Sequence, residues 1–369
     1  MCHPARGTSG ELPEAIDIRG GVNVRCNLIA FAIVALCLFA VVFAAGCVEG
    51  DSTEPETDQW RFAVFCDTRG DNNNTSDKSG INDLVVGAIA RAIVNDSCDL
   101  VLVPGDMANG WCQNGSTPYV VQFTNWKRAM EPVYSAGITV HTIRGNHENG
   151  PLDWPHPSYP YTPHPDPALK AAYIGAFGSD NPGNGPSGEE NLTYSFAHKN
   201  AFFVGLDTHI NPHRVNQEWL DGQMENNSQP YVFVFGHEPA FKVNHPDCMA
   251  CYPNARDEFW NSIGSAGARI YFCGHDHLYN RAYVPDDSGS EVHQMVIGSC
   301  GAPPASWSPP YNDSRVVGEY RNDIDYGYVL VTVDPEYAEV KWIAWDGTGD
   351  PVWTTLDNFT LAVTTSPKR

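Results

Sequence analysis

The chain has 369 residues, and its 44 acidic against 22 basic side chains give a formal charge of −22. Hydrophobic residues make up 42% and aromatic residues 11%, which is enough for a packed core and excludes wholesale disorder. An acidic surface repels a phosphate backbone, so we expect no nucleic-acid binding, and an anionic substrate would need a local cationic site such as metal ions.

Residues 1–46 are predicted to be a leader, because they contain an almost uninterrupted apolar run at 27–45. That run is close to the roughly 20 residues that cross a bilayer. Arg19 and Arg25 precede it, which favours a cytoplasmic N-terminus and a remainder at the cell surface, outside the membrane. The small residues directly before Cys47 resemble a lipoprotein cleavage site, at which Cys47 would be lipidated. The alternative is an uncleaved signal anchor with the same topology.

The rest of the chain divides into a tether and one domain. Residues 47–59 are polar and acidic and lack bulky apolar side chains, so they are predicted to be a flexible tether. From residue 60 to 369 no internal repeat and no second linker interrupts the alternation of apolar strands and amphipathic helices. We therefore predict a single catalytic domain over 60–369.

The order of elements in this domain predicts an α/β fold with mixed sheets and a strand-rich C-terminal part. Continuous β-branched and aromatic runs are typical of strands that are covered on both faces. Helices are predicted where apolar residues recur with a period near 3.6 residues. The predicted strands are 61–66, 99–103, 138–143, 193–197, 201–206, 231–235, 269–273, 294–298, 327–333 and 339–344, and the predicted helices are 81–94, 120–134, 217–224 and 255–263.

Polar side chains follow five of these strands, at the point where each strand ends. In α/β sheets the loops at the carboxyl ends of the strands meet and form the ligand site. Carboxylate, amide and imidazole donors suit Fe, Mn or Zn better than calcium. The sequence therefore predicts a metal centre whose ligands are Asp67, Asp106, Asn146, His237, His275 and His277.

The order of these motifs resembles the calcineurin-like metallophosphoesterases, and in particular the branch of the purple acid phosphatases. The motifs are Asp67, Gly-Asp at 105–106, Gly-Asn-His-Glu at 145–148, Gly-His at 236–237 and Gly-His-Asp-His at 274–277. The resemblance implies a four-layer αββα sandwich. It also implies two divalent or trivalent metal ions (Fe, Mn or Zn) with a shared hydroxide that attacks phosphorus.

The resemblance also implies a role for each residue. Asp106 would bridge the two ions, Asp67 and His277 would complete the first position, and Asn146, His237 and His275 would complete the second. His147 would lie beside the leaving group as a general acid or as a donor to a phosphoryl oxygen.

Two positions depart from the family pattern. The common first motif is Asp-X-His, whose histidine is a ligand, but here the third residue is Arg69, which stays protonated and cannot ligate. Arg69 is instead expected to clamp phosphate oxygens. Many relatives carry an Asp where this chain has Asn109, and we expect the amide of Asn109 to orient His147 without stabilising its charged form.

Several further features stay open at this stage. Residues 148–190 are rich in Pro, Gly, Tyr and His and are predicted to be a lid or substrate-shaping loop. Cys248 and Cys251 are predicted to form a local disulfide or to be free thiols, while Cys66 and Cys273 are predicted to be core residues. Asp276 is predicted to point outward or to be structural. Candidate substrate contacts are His209, His213 and His245, with His156 and His164 as weaker candidates.

The predicted function is a hydrolase of small phosphorylated substrates, favouring phosphomonoesters, that is attached to a membrane through a lipid or an N-terminal helix. A phosphodiesterase or nucleotidase is the alternative; relatives of that kind often carry a further C-terminal domain, for which the residues after Asp346 are too few. Because Arg69 and Asn109 depart from the pattern, a non-catalytic metal-binding surface protein is a third hypothesis. Neither the substrate nor the oligomeric state follows from the sequence.

Overall fold

The computed structural model describes residues 59–70, 79–112, 117–153 and 162–362. The predicted leader 1–46 with its apolar run, Cys47, nearly all of the tether 47–59, and His156 lie outside the described residues. Within the described part, no helix is both long enough and apolar enough to cross a membrane.

Two large mixed sheets form the middle of the domain. The first has the strand order β15-β14-β13-β1-β2-β3 and the second the order β12-β10-β11-β9-β8-β7-β6. The strands are β1 Trp60–Val64, β2 Leu100–Val103, β3 Thr139–Thr142, β4 Leu152–Asp153, β5 Thr162–Pro163, β6 Tyr194–His198, β7 Ala201–Leu206, β8 Tyr231–Gly236, β9 Ile270–Cys273, β10 Tyr279–Pro285, β11 Glu291–Ile297, β12 Val317–Asn322, β13 Tyr326–Val333, β14 Tyr337–Trp345 and β15 Thr354–Ala362.

The helices cover the outer faces of these sheets. They are α1 Asp83–Asn95, α2 Tyr119–Ala129, α3 Glu131–Ser135, α4 Pro167–Phe177, α5 Gln217–Asn226 and α6 Pro253–Ser265. The first four pack in one core with the first sheet, and α5 and α6 pack in a second core against the outer face of the second sheet. With the sheets between them, these helices complete the predicted four-layer αββα sandwich.

The two sheets are held together by aromatic side chains on their facing surfaces. Phe62 of β1 meets Phe203, Phe233 and Phe272 of the second sheet edge-on, at centroid distances of 5.3, 4.9 and 6.1 Å. Edge-to-face pairs of buried rings stabilise such contacts beyond the area they bury. This aromatic layer fixes one sheet against the other, so that the carboxyl ends of β1, β2 and β3 meet those of β8 and β9.

Several predictions of elements need correction. The predicted helix at 120–134 is two helices, α2 and α3, because Pro132 starts a new turn directly after Met130. The predicted loop 148–190 contains α4, whose Leu169, Tyr173 and Phe177 are buried in the first core. Strands β4, β5, β10, β12 and β15 were not predicted; β12 and β15 are edge strands whose sequences are too polar to show a strand pattern.

Six cysteines whose side chains the structure describes are free thiols: Cys66, Cys98, Cys248, Cys251, Cys273 and Cys300. Cys248 and Cys251 are free, so of the two predicted alternatives the disulfide does not form. Cys66 and Cys273 are fully buried, as predicted. Cys66 lies at the end of β1, where its backbone amide donates to Cys300 Sγ at 3.4 Å. These thiols pack beneath the loop that carries Asp67.

Candidate metal centre

The five predicted motifs converge at the carboxyl ends of β1, β2, β3, β8 and β9. Backbone hydrogen bonds join their loops: Asp67 N donates to Gly105 O at 3.1 Å, and Gly274 N donates to His237 O at 2.9 Å. Three predicted ligands have left-handed backbone conformations, with φ of 52° at Asp67, 51° at Asp106 and 72° at His275. Such conformations are uncommon for residues with a side chain and cluster at functional sites.

Glycine at 145 is required by the approach of two of these loops. A Cβ atom at Gly145 would lie 2.1 Å from Asp106 Oδ1 and 2.5 Å from Asp106 N. A real side chain cannot come that close, so alanine at 145 would push Asp106 out of place. The Gly of the Gly-Asn-His-Glu motif thus leaves the space that the side chain of Asp106 occupies.

The second predicted metal position has a complete set of donors. Asn146 Oδ1 lies 3.0 Å from both His237 Nε2 and His275 Nδ1, and Asp106 Oδ1 lies 3.4 Å from His237 Nε2. His237 Nδ1 donates to the carbonyl oxygen of Pro104 at 2.8 Å, and burial lowers the pKa of His237, so the neutral ring turns a lone pair on Nε2 toward Asn146 Oδ1. Two acceptors that face each other in this way fit a cation between them.

The first predicted metal position has fewer protein donors. Asp67 Oδ1 lies 3.7 Å from His277 Nε2, and it is a buried carboxylate oxygen with no hydrogen-bond partner among the described residues. Atoms of Asp67, Asp106 and His237 that could ligate lie within 4.8 Å of one another. Arg69 lies beside them: its Nη2 is 3.1 Å from His277 Nε2 and its Nε is 3.8 Å from Asp106 Oδ2.

His147 lies at the centre, but Asn109 does not orient it in the predicted way. His147 Nδ1 donates to the backbone carbonyl of Asn109 at 2.9 Å, whereas the side-chain oxygen of Asn109 is buried without a partner in the described part of the chain. The ring of Trp111 stacks on His147 at 5.7 Å. Burial and the charge of Arg69 lower the pKa of His147 to about 3, so at neutral pH the ring is uncharged. Its role as a general acid stays a prediction.

A sequence profile of the calcineurin-like phosphoesterase family matches residues 77–279, which is more than half of the chain. The chain belongs to this family. The candidate metal site agrees with the divalent ions on which this family of phosphoesterases depends. No curated protein matches the chain by sequence.

Solved structures confirm the calcineurin-like phosphoesterase fold. The purple acid phosphatase PPD1 from yellow lupin (Lupinus luteus) seeds is 16% identical with a TM-score of 0.61, over 83% of this chain and 54% of that one. PhoD is 15% identical with a TM-score of 0.54, over 83% and 70% of the two chains. GAP50, the anchor in the inner membrane complex of Plasmodium, is 16% identical with a TM-score of 0.54, over 84% and 90%. This chain thus spans about half the length of the lupin enzyme.

Glu148, the last residue of the Gly-Asn-His-Glu motif of this calcineurin-like phosphoesterase, received no role from the sequence. It is fully buried and accepts hydrogen bonds from three backbone amides, of Asp106 (2.8 Å), Ala108 (3.1 Å) and Gly145 (2.9 Å). One carboxylate therefore ties the loop after β2 to the loop after β3. Its position directly after the His of the motif was the available signal.

Two aspartates behind the ligands complete the centre. Asp247, which the sequence analysis missed, lies with Oδ1 3.5 Å from His275 Nε2, on the side of the ring that faces away from Asn146. A carboxylate in this place orients a ligating imidazole and raises its basicity. Asp276 is buried and structural rather than outward: it accepts from the backbone amides of Asn244 (3.0 Å) and His245 (2.8 Å).

The other predicted histidines that the structure describes lie in three different places. His245 is partly exposed, and its ring lies 4.9 Å from that of His275, so it faces the centre. His209 and His213 are buried beside Glu238, with nitrogen–oxygen distances of 3.7 and 2.9 Å. His164 is exposed on the surface.

Metal binding by this calcineurin-like phosphoesterase is expected to strengthen as pH rises. Burial by itself would lower the pKa of His275, but the nearby carboxylates, first that of Asp247, raise it to about 10. At neutral pH the metal-free ring therefore carries a proton that an incoming ion must displace, because only the neutral imidazole ligates. We expect the affinity for Mn²⁺ to rise about tenfold per pH unit between about pH 6 and 9. Calorimetric titration in buffers of different ionisation enthalpy counts the released protons.

The variant Asp247→Asn tests whether the carboxylate of Asp247 keeps this proton on His275. Without the carboxylate, the metal-free His275 loses the main group that raises its pKa, and the pH dependence should flatten by about one proton. The exposed Asp350→Asn serves as the control and should keep the wild-type slope. An affinity that does not change with pH in the wild-type protein would show that His275 is already neutral.

Proposed function

We propose that this calcineurin-like phosphoesterase is an extracytoplasmic phosphomonoesterase that acts on small phosphorylated substrates. The observation that carries the proposal is the convergence of Asp106, Asn146, His237 and His275 around one point, next to the guanidinium of Arg69. Oxygen and imidazole donors of this kind favour Fe, Mn or Zn. Such ions stabilise the negative charge that develops on phosphate oxygens during in-line displacement.

The chain's own residues supply the remaining parts of the reaction. Asp106 and Asn146 present oxygens, and His237 and His275 present nitrogens, from loops that are already fixed by backbone hydrogen bonds. This pre-organisation lowers the cost of arranging charges around the phosphoryl group. Arg69 donates to phosphate oxygens in its planar fork. His147, whose Nδ1–H is held by the carbonyl of Asn109, turns Nε2 toward Asp106 and the substrate side.

The charge of the site supports a monoester over a diester. A phosphomonoester carries close to two negative charges and three terminal oxygens, whereas a diester carries one charge and two such oxygens. Metal cations together with Arg69 match the larger charge. A phosphodiesterase or nucleotidase remains the alternative activity.

The non-catalytic hypothesis has two observations in its favour. Arg69 stands where a ligating histidine is common, and GAP50, whose fold is similar, is described as an anchor. Against it stands the presence of His147 beside the complete donor set of the second position, since loss of catalysis would not be expected to spare both. We therefore place catalysis first.

The cellular location is proposed from the sequence. The apolar run at 27–45 and Cys47 support attachment to a membrane through a lipid or an N-terminal helix, with residues 60–369 as the catalytic domain outside.

The test is turnover of the purified full chain, loaded with Mn²⁺, Zn²⁺ or Fe, on p-nitrophenyl phosphate, bis(p-nitrophenyl) phosphate and AMP across a pH series. We expect kcat/KM for the aryl monoester to exceed that for the diester by at least about tenfold, and a chelator to abolish both activities. A higher value for the diester would support the alternative. No turnover with any ion would support the non-catalytic hypothesis.

A further inference from the structure

The first metal position requires a positive charge. Asp67 Oδ1 is buried without a hydrogen-bond partner among the described residues, and it points toward the gap between Asp67 and His277. The negatively charged Asp106 borders the same gap. A buried carboxylate is stable only beside a cation or enough hydrogen-bond donors. A positive charge opposite these oxygens would stabilise both carboxylates in their ionised form.

The guanidinium of Arg69 already occupies this place. Its Nη2 is 3.1 Å from His277 Nε2, and because a guanidinium only donates, the histidine nitrogen is the acceptor. The lone pair that would bind a first ion is thus directed at Arg69. The Nε of Arg69 is 3.8 Å from Oδ2 of Asp106, the residue whose carboxylate would bridge two ions. His277 and Asp106, two residues that would bind the first ion, are therefore both next to the arginine.

Arg69 is held in this position by its surroundings. Its side chain is 9% exposed, and its backbone pairs with Ile81 in an isolated β-bridge. A divalent ion at Asp67 and His277 would lie within a few ångströms of a permanent cation that has little room to move away. The two charges would repel each other.

We propose that the Arg69 guanidinium replaces the first metal ion, so that the centre holds a single ion at the position framed by Asp106, Asn146, His237 and His275. Asp67 then neutralises the arginine, and its carboxylate also lies within reach of the one ion, as the 4.8 Å limit on Asp67, Asp106 and His237 allows. The part of this inference that concerns phosphate rests on the proposed function. The predicted number of bound ions does not depend on the proposed function.

The experiment compares metal content and magnetic coupling in the full chain and its variants. Each protein is stripped with chelator, reloaded with Mn²⁺ alone and analysed by elemental analysis and electron paramagnetic resonance. The wild type should bind about one ion per chain and show an uncoupled Mn²⁺ signal. Arg69→His supplies an imidazole in place of the guanidinium and should bind about two ions with a spin-coupled signal.

Two further variants make the result unambiguous. Arg128→His adds a histidine at an exposed position of α2 and should bind about one ion, as the wild type does. Arg69→Gln removes the charge without adding a ligand; circular dichroism and thermal melting establish whether the Arg69 variants are folded. If Arg69→His does not fold, a coupled signal that appears in Arg69→Gln supports the proposal, and an uncoupled one contradicts it.

Two tightly bound, coupled ions in the wild type would overturn the proposal, because Arg69 would then move aside for the first ion. A folded Arg69→His protein with one ion would also overturn it. Failure of the proposed function would look different: the counts of one and two ions would stand while every loaded sample lacked phosphatase turnover.

Discussion

Replacing Asp106 with asparagine is expected to lower phosphatase kcat/KM by about 1,000-fold or more while the protein stays folded. The carboxylate of Asp106 lies close to three residues of the centre: Oδ1 lies 3.4 Å from His237 Nε2 and accepts from His147 N at 3.0 Å, and Oδ2 lies 3.8 Å from Arg69 Nε. The amide of asparagine can still accept from His147 N, so the loop keeps its shape. It cannot supply the negative charge that holds an ion beside Arg69.

Steady-state kinetics and metal analysis on the same Asp106→Asn sample measure this effect. Metal content should fall together with activity, and circular dichroism should match the wild type. The exposed Asp350→Asn is the matched control and should keep full activity and metal content. If the Asp106→Asn protein kept more than about a tenth of its kcat/KM with its ions bound, the measured activity would not come from this centre.

Glu148→Ala is expected to lower the free energy of unfolding by about 3 kcal/mol or more. The change leaves three buried backbone amides, of Asp106, Ala108 and Gly145, without their acceptor. Each unsatisfied buried donor costs roughly 1–3 kcal/mol. Since the loss falls on the two loops that carry Asp106 and Asn146, we also expect metal binding to weaken.

Urea unfolding followed by tryptophan fluorescence measures the stability of this variant. Glu148→Gln keeps one acceptor oxygen and should fall between the wild type and Glu148→Ala. Glu225→Ala, on the exposed side of α5, is the control and should change stability by less than about 0.5 kcal/mol. A loss below about 1 kcal/mol for Glu148→Ala would mean that water replaces the carboxylate at the three amides.

The sequence predicted that most of the candidate ligands lie close together, because they follow buried strands. A continuous apolar run such as that of β8, which is buried along its whole length, identifies a central strand, and the next polar residues then lie at the carboxyl edge of the sheet. Asp247 was missed for the opposite reason. It lies in an irregular segment after β8, where neither periodicity nor motif spacing connects it with His275.

Two contacts of the centre could not be predicted from the sequence: one is made by a backbone carbonyl, and the other by an arginine in a place where relatives have a different residue. The resemblance to the family indicated residue 109 as a partner for His147, but it could not show that the carbonyl of Asn109, and not its amide side chain, is that partner. The presence of Arg69 indicated that the first position is unusual. Its contact with His277 depends on the packing of two sheets, which no local pattern encodes. Helix α4 was hidden by the Pro- and Gly-rich residues around it.

The left-handed backbone at Asp67, Asp106 and His275 affects which residues evolution is expected to keep at these positions in related proteins. A residue with a Cβ atom in this conformation destabilises the folded protein by of the order of 1 kcal/mol relative to glycine. The binding of an ion compensates for this cost, so the cost is no longer offset in a protein that binds no ion. In a lineage that had given up catalysis, glycine at these three positions would relieve this backbone strain. Drift toward glycine there, with the aromatic layer between the sheets kept, would mark the relatives that retain this fold as a scaffold alone.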